Sequence, residues 1–569
     1  MSERPTLLHL RTGTAHLPAF VRGHLADQRR CLEQWFRVVV VEGDADYAAL
    51  VDRHEPALAL LESGVYTVPR TITGLTARPE VPRLGFLHAD AYCPTRARAI
   101  ADFDHWEVEQ VLTTSVSMAA YTPALAERLV VWANFVVPSG DDPLPPAGRP
   151  VPVLMTGSHA AHYPWRVAVA RELEQAGIAT RRTPHAGWFD RAADARMVSG
   201  AAYVAELESS QVVPACGSIA RDLVRKHLEV PAAGALLVAE PSAALAAAGF
   251  RDGVNCVLAE PREAVRRTRD LLGEPDELAR LAAAGRTLVL ERHTAAQRDQ
   301  VRQWHDLRRQ HPGARIGHRG PFLPLEVGTQ APTLAADGRD RILLAEAGEL
   351  RRGGRVAEAE VRALRAANLH PAIEPLAELA RCRLAVGRAA SAADVAARGV
   401  EMSTSIGGAP DPGMLALLVR AETAAHRPDR AARLAAAYPA DPRRRASLVP
   451  VDPGEGRPFR IHRGPAGPVP ALRPRYRRLR LRWRSRLRTL LWRTGTLETE
   501  LAGLLARTQP TRVVVVAPSR RGRACVALTQ VVAASTSVDE VWWSNGSGRS
   551  AARLRFGVHE STWEPGVAP

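Results

Sequence analysis

Short strand-like runs, most of them largely apolar, recur along the first 310 residues, several of them set apart by helix-compatible sequence. They fall at residues 7–10, 36–41, 57–61, 84–88 and 130–137, and again at 151–155, 178–182, 211–213, 235–239 and 256–259. A strand that is apolar at every position is covered on both faces, and helices must supply the cover. That pattern predicts parallel α/β sheets. A stretch rich in Pro, Gly and Asp at 138–150 (PSGDDPLPPAGRP) divides the series, so two units are expected, 1–140 and 151–310. Helices are expected at 18–35, 165–175, 243–249, 262–272 and 275–291, with a last one running from His293 into Trp304. Residues 178–182, 202–207 and 211–213 together lead into the stretch 218–231.

In such sheets ligands bind beyond the carboxyl ends of the strands. His88 and Asp90 follow the 84–88 strand directly, so either one is a candidate acid or base in a cleft. The plainer alternative is that His88 closes the strand and Asp90 caps the next helix. Gly157 lies between strand 151–155 and helix 165–175, with Arg166 in that helix's first turn. A glycine there presents backbone N–H groups to phosphate. The stretch 218–231 reads as a helix, capped by Ser218, stopped by Pro231, and turned into the next strand by Gly234. On such a helix Arg221, Arg225 and Glu229 would share one face, with Asp222 and Lys226 beside it. Lys226 is the single lysine among 76 Lys and Arg. In a chain that otherwise uses arginine, a retained compact ammonium suggests a phosphate met as a point charge.

At 569 residues the chain exceeds one domain. Its six cysteines are scattered, with no CxxC pair and no metal-ligand spacing, so neither a metal nor a cofactor is expected. No signal-peptide pattern opens the chain, and no apolar run reaches membrane-spanning length; a cytoplasmic protein is the expectation. The net charge of +16 sits mainly after residue 450, where 21 Arg face 8 Asp and Glu. A Pro/Gly-rich linker at 311–335 precedes an Ala/Leu-rich helical region, 340–445. In it Gly354-Arg355, Gly387-Arg388 and His426-Arg427 recur at spacings of 33 and 39, close to the period of tetratricopeptide repeats. The region is read either as a surface for a protein partner or as an extension packed on the rest. The basic segment 470–569 holds ten arginines and no acid between 473 and 493, interleaved with Trp and Leu, which suits the surface of an anionic membrane. Because the charge lies apart from the candidate site, nucleic acid is the poorest fit as partner. A β-α-β fragment is expected from 512–517, 523–534 and 540–543.

The runs RDLVRKHLEVPAAGALLVAE, AAGFRDGVNCVLAEPREA and LAAAGRTLVLERHT, with PRLGFLHADAYCPTRARAIADFDHW earlier, resemble the spore-maturation (CgeB-like) group of bacterial family-1 glycosyltransferases. The resemblance spans about residues 1–310. It implies a GT-B-like fold, two Rossmann-like domains facing across a cleft, with the acceptor side first and the donor side second. It also implies a nucleotide diphosphate-sugar donor and a glycan, lipid-linked or protein acceptor, without metal. Glu229 would hold the ribose hydroxyls, while Arg221, Arg225 and Lys226, with Arg166, meet the diphosphate. Larger related families carry an earlier glutamate seven or eight residues before the second. Asp222 stands there, inside the expected helix, and is given no catalytic role. The alternative is a non-catalytic scaffold of the same fold.

Overall fold

A computed structural model describes residues 4–449 except 94, 139–144, 146–147, 160–161, 186–196, 329–333, 335–337, 405–409 and 438–447, and beyond them four short strands. The architecture is α/β: two Rossmann-like units followed by helical hairpins.

Six parallel strands form the first sheet: β1 (Thr6–Arg11), β2 (Arg37–Glu42), β3 (Leu58–Gly64), β4 (Arg83–His88), β5 (Gln110–Thr113) and β6 (Leu129–Val131), in the order β2-β1-β3-β4-β5-β6. Strand β5 was not foreseen, and β6 is shorter than expected. The expectation of two-sided burial holds for every strand but the edge strand β2, which is only half-buried. Leu7, Leu58, Leu60, Leu84 and Phe86 face Cys31 and Leu32 of α1 (Ala19–Glu33) and Val301 and Trp304 of a late helix (Gln300–Gln310). Trp304 also donates its indole N–H to Gln110 at 2.7 Å, so the chain returns from the second unit to close the first. Leu8, Leu10, Ala59, Leu61 and Leu87 face the other way, onto Ile100 and Phe103 of α2 (Arg96–His105) and the helical region. Burying each such leucine contributes about 2 kcal/mol.

The second sheet holds β7 (Val151–Met155), β8 (Thr180–Arg182), β9 (Ser210–Ala215), β10 (Leu236–Ala239) and β11 (Val257–Leu258), all parallel, in the order β8-β7-β9-β10-β11. Residues 202–207 lie in the helix Ala201–Glu208 that leads into β9. In the 311–335 linker, Ile316–Gly317 and Glu326–Val327 pair as a small antiparallel ribbon.

Six helices then form three hairpins: Arg339–Arg352 with Val356–Leu369, Ile373–Ala385 with Ala389–Thr404, and Pro412–Ala424 with Pro428–Ala435. The recurrent pairs are their turns. Gly354, Gly387 and His426 all adopt left-handed backbone (φ +79°, +75° and +56°). The N–H of the arginine after each reaches back five residues, to Leu350, Arg383 and Glu422, at 2.8, 2.9 and 2.9 Å. These are helix C-caps, which favour glycine because it has no Cβ to clash. The hairpins close on alanines, including Ala347, Ala363, Ala377, Ala380 and Ala396, all fully buried; small side chains let helices approach closely. That interior is continuous with the first unit's core. The helical region is therefore packed on the first unit.

Residues 463–569 form a separate unit. Arg512–Val516 pairs parallel with Glu540–Ser544, as a β-α-β fragment requires, and Ala551–Arg555 and Trp563–Gly566 extend the sheet antiparallel. The expected helix at 523–534 and the arginine-rich stretch 473–493 lie outside the described residues. No helix among the described residues is long and apolar enough to cross a membrane.

Candidate functional site

The strand order of the second sheet decides where a ligand fits. From β7 the chain goes to β8 on one side, then crosses to β9 on the other, so the loops after β7 and β9 diverge and open a crevice. Thr156 and Gly157 follow β7, and Cys216 and Gly217 follow β9.

Two cations converge on this crevice. Gly157 has φ +92°, and a Cβ placed there would lie 2.3 Å from Lys226 Nζ and 3.0 Å from an Arg166 guanidinium nitrogen. Lys226 Nζ donates to the Thr156 carbonyl at 2.8 Å, and Arg166 to the Ser158 carbonyl at 2.9 Å. Arg166 lies over the Tyr163 ring at 4.4 Å, and its Nε finds no hydrogen-bond partner. Among the described residues no carboxylate forms an ion pair with either cation. Burial and the neighbouring Arg166 bring the Lys226 ammonium down to about 7, with Glu229 opposing the shift. Burial and the same two cations lower His227 to about 3, and burial with Arg166 lowers His159. Glu229 offsets only part of this positive field, and an anion would supply the rest of the counter-charge. Gly157, Arg166 and Lys226, three of the residues singled out in the sequence, are thus together.

The stretch 218–231 is not one helix. Helix α3 begins at Arg225 and runs to Ala232, with Pro231 inside its last turn, and residues 217–224 form a tight loop. Ser218 and Arg221 adopt left-handed backbone there (φ +63° and +50°), so Ser218 caps nothing. The physical reason is Asp222, which lies in this loop and not in a helix. Its buried carboxylate accepts from Leu223 N at 2.7 Å and, across the units, from Val116 N at 3.2 Å, Ser117 Oγ at 2.9 Å and Ser115 Oγ. Burial pushes its carboxyl up, against those hydrogen bonds. Arg221 consequently leaves the expected face and reaches Glu240 at 3.3 Å and the Pro241 carbonyl. Asp222→Ala would orphan two buried amides and two hydroxyls. A loss of about 2–4 kcal/mol is expected, read as a lower urea midpoint, with Asp222→Asn recovering part of it.

Arg225 and Glu229 do share a face of α3 and pair at 3.0 Å. Arg225 also meets Asp27 of α1 at 2.7 Å, so this ion-pair chain joins the two units and leads to Glu229.

On the first unit, His88 does not face an open cleft. Its side chain is 4% exposed, packed on Phe86 with ring centroids 4.1 Å apart, and its Nε2 lies 3.4 Å from Glu62. The other Glu62 oxygen is 2.5 Å from His9 Nε2. Burial pushes the Glu62 carboxyl up, but the two histidines outweigh it and hold the group well below the usual carboxylate range. His9 and Glu62 were missed, although each is an ionisable residue inside an otherwise apolar strand. Asp90 is the member that opens outward. Its side chain is 40% exposed, it accepts the Tyr92 N–H at 2.8 Å, and it lies 3.5 Å from His162 Nε2 of the second unit. Burial raises and His162 lowers its carboxyl, the net shift being downward.

Residues 163–306 match the family model described as glycosyl transferase-like. The match takes in Arg166 and the whole of 217–229, including Lys226, while Gly157 lies just before it. No curated protein matches the chain. Solved structures with a similar outline include Anabaena HepE in complex with UDP and glucose (13% identity, TM-score 0.37, covering 52% of this chain and 98% of that one). A glycosyltransferase from Rickettsia africae (11%, 0.37, 52% and 96%) and sucrose-phosphate synthase from Thermosynechococcus elongatus (11%, 0.38, 54% and 99%) are comparable. Overlaps this loose assign no residue.

Proposed function

We propose that the chain is a glycosyltransferase that moves a sugar from a nucleoside diphosphate donor to a hydroxyl acceptor. The observation that carries the reading is the Lys226–Arg166 pair around Gly157, a half-buried ammonium and a buried guanidinium, neither ion-paired with a carboxylate among the described residues, at the switch point of a glycosyl transferase-like domain. In the reaction the acceptor oxygen bonds to the anomeric carbon, the bond from that carbon to the β-phosphate oxygen breaks, and the diphosphate leaves with the electron pair. Lys226 and Arg166 stabilise the charge that grows on it, as fixed donors in a water-poor site. Glu229, held by Arg225, accepts from the ribose hydroxyls. Asp90, held against His162, takes the acceptor's proton; His88 lies behind it, bound to Glu62. Arg221, turned toward Glu240, is left out of the donor set.

The CgeB-like subtype, a role in envelope or surface glycans, the tetratricopeptide character of the hairpins and a peripheral membrane position through 473–493 belong to this reading, on sequence grounds alone. The scaffold alternative shares the fold but requires no nucleotide. Thermal shift with UDP-, GDP- and dTDP-sugars separates the two: an intact donor site raises the melting temperature with at least one of them. Glu229→Ala is expected to weaken that nucleotide about tenfold, or ~1.4 kcal/mol. If no nucleotide moves the melt, the scaffold reading takes over.

A further inference from the structure

The helical hairpins meet the first unit through a buried network of charged groups, and one member of it is a loop residue beside Asp90. Tyr92 donates its hydroxyl to both carboxylate oxygens of Asp340, at 2.9 and 2.8 Å. Asp340 opens the first hairpin helix and its side chain is 1% exposed. Arg341, equally enclosed, lies between two rings, 5.2 Å from the Tyr92 centroid and 4.9 Å from that of Tyr121. Glu374 of the second hairpin approaches Arg341 at 3.7 Å and Arg96 of α2 at 2.5 Å. His370 packs edge-on against Tyr92 at 5.4 Å. Two guanidinium groups and two carboxylates thus balance inside the protein, where loss of any one leaves its partner uncompensated.

The two tyrosines point this network at both halves of the site. Tyr92 gives its own N–H to the Asp90 carboxylate while its hydroxyl is held by Asp340. Tyr121 gives its hydroxyl to the Ala220 carbonyl, in the loop that leads to Lys226. We propose that the hairpins are a positioning element for the Asp90–His162 pair: Asp340 and Arg341 fix Tyr92, and Tyr92 fixes Asp90. Stability alone would need apolar contact, which the shared core already provides. It would not need a polar chain ending two residues from an outward-facing carboxylate. The hairpins then act on the acceptor side through Tyr92, a positioning residue that touches no reacting atom.

The test uses the full chain and has two arms; only the second rests on the transferase reading. Tyr92→Phe removes one oxygen and keeps the ring between Arg341 and His370. Hydrogen exchange of peptides covering 88–96 should speed up about tenfold, while those covering 155–160 stay within twofold. Asp340→Asn, which still offers an oxygen to Tyr92, should fall between. With a nucleotide sugar that the thermal panel selects, Tyr92→Phe should lower kcat at least tenfold and leave nucleotide affinity within twofold. The acid limb of its rate profile should move to higher pH, because Asp90 loses a well-placed N–H while His162 and Arg96 remain. Equal exchange at 88–96 in the wild type and both variants would overturn the proposal. Faster exchange with no turnover of any nucleotide sugar by either protein would leave the positioning contact standing and remove the transferase reading.

Discussion

Gly157→Ala is expected to weaken nucleotide binding at least a hundredfold, about 3 kcal/mol, while leaving a folded protein. Two independent constraints meet at that residue. Its φ of +92° lies where an L-residue is strained by about 1–2 kcal/mol. In addition, the new methyl would sit 2.3 Å from Lys226 Nζ and 3.0 Å from Arg166, inside the van der Waals distance of both. The ammonium and guanidinium would have to part, and the Lys226 bond to the Thr156 carbonyl, 2.8 Å in the native protein, would go with them. An anion that relies on both cations then meets at most one. Calorimetric titration with the nucleotide chosen by the thermal panel measures the loss. An unchanged dissociation constant would mean that the diphosphate does not bind between these groups, and the proposed donor site would be wrong.

This part of the site was legible in the sequence because each residue obeys a local rule. A glycine after a buried strand, an arginine in the next helix turn and a lone lysine near the next strand need no knowledge of distant partners. The hairpin turns were legible for the same reason, since a left-handed C-cap is written in two adjacent residues. What failed depended on contacts far along the chain. Asp222 belongs to a loop because Ser115 and Ser117, more than 100 residues earlier, claim its carboxylate. That pulls Arg221 off the expected helix face. His88 was placed in a cleft because the register that puts His9 and Glu62 beside it is a property of the assembled sheet. The polar contact by which the hairpins reach the Asp90 loop joins Tyr92 to Asp340, 248 residues apart. Periodicity carries no signal for such a pair.

The second large effect concerns protons. In the free protein burial and Arg166 bring Lys226 to about 7, against 10.5 for an ordinary lysine. At pH 8.5 its amine is therefore mostly neutral, whereas a bound diphosphate favours the ammonium. Binding should draw in close to one proton at that pH, and the dissociation constant should rise by up to about tenfold per pH unit above 7. Below 7 the ammonium is already present and this dependence flattens. Folding responds with the opposite sign: between about 7 and 10.5 the unfolded chain binds more protons at this site than the native protein does. The site's contribution to stability thus grows as pH rises across the same window, while nucleotide affinity falls. Heats of binding at pH 8.5 in Tris and in HEPES, which differ in ionisation enthalpy, count the protons directly. Lys226→Arg, charged throughout, should bind more weakly at pH 7, where a planar guanidinium is crowded against Gly157, and should show neither the proton uptake nor the slope. The same slope in wild type and Lys226→Arg would assign the titration to another group and separate Lys226 from the phosphate.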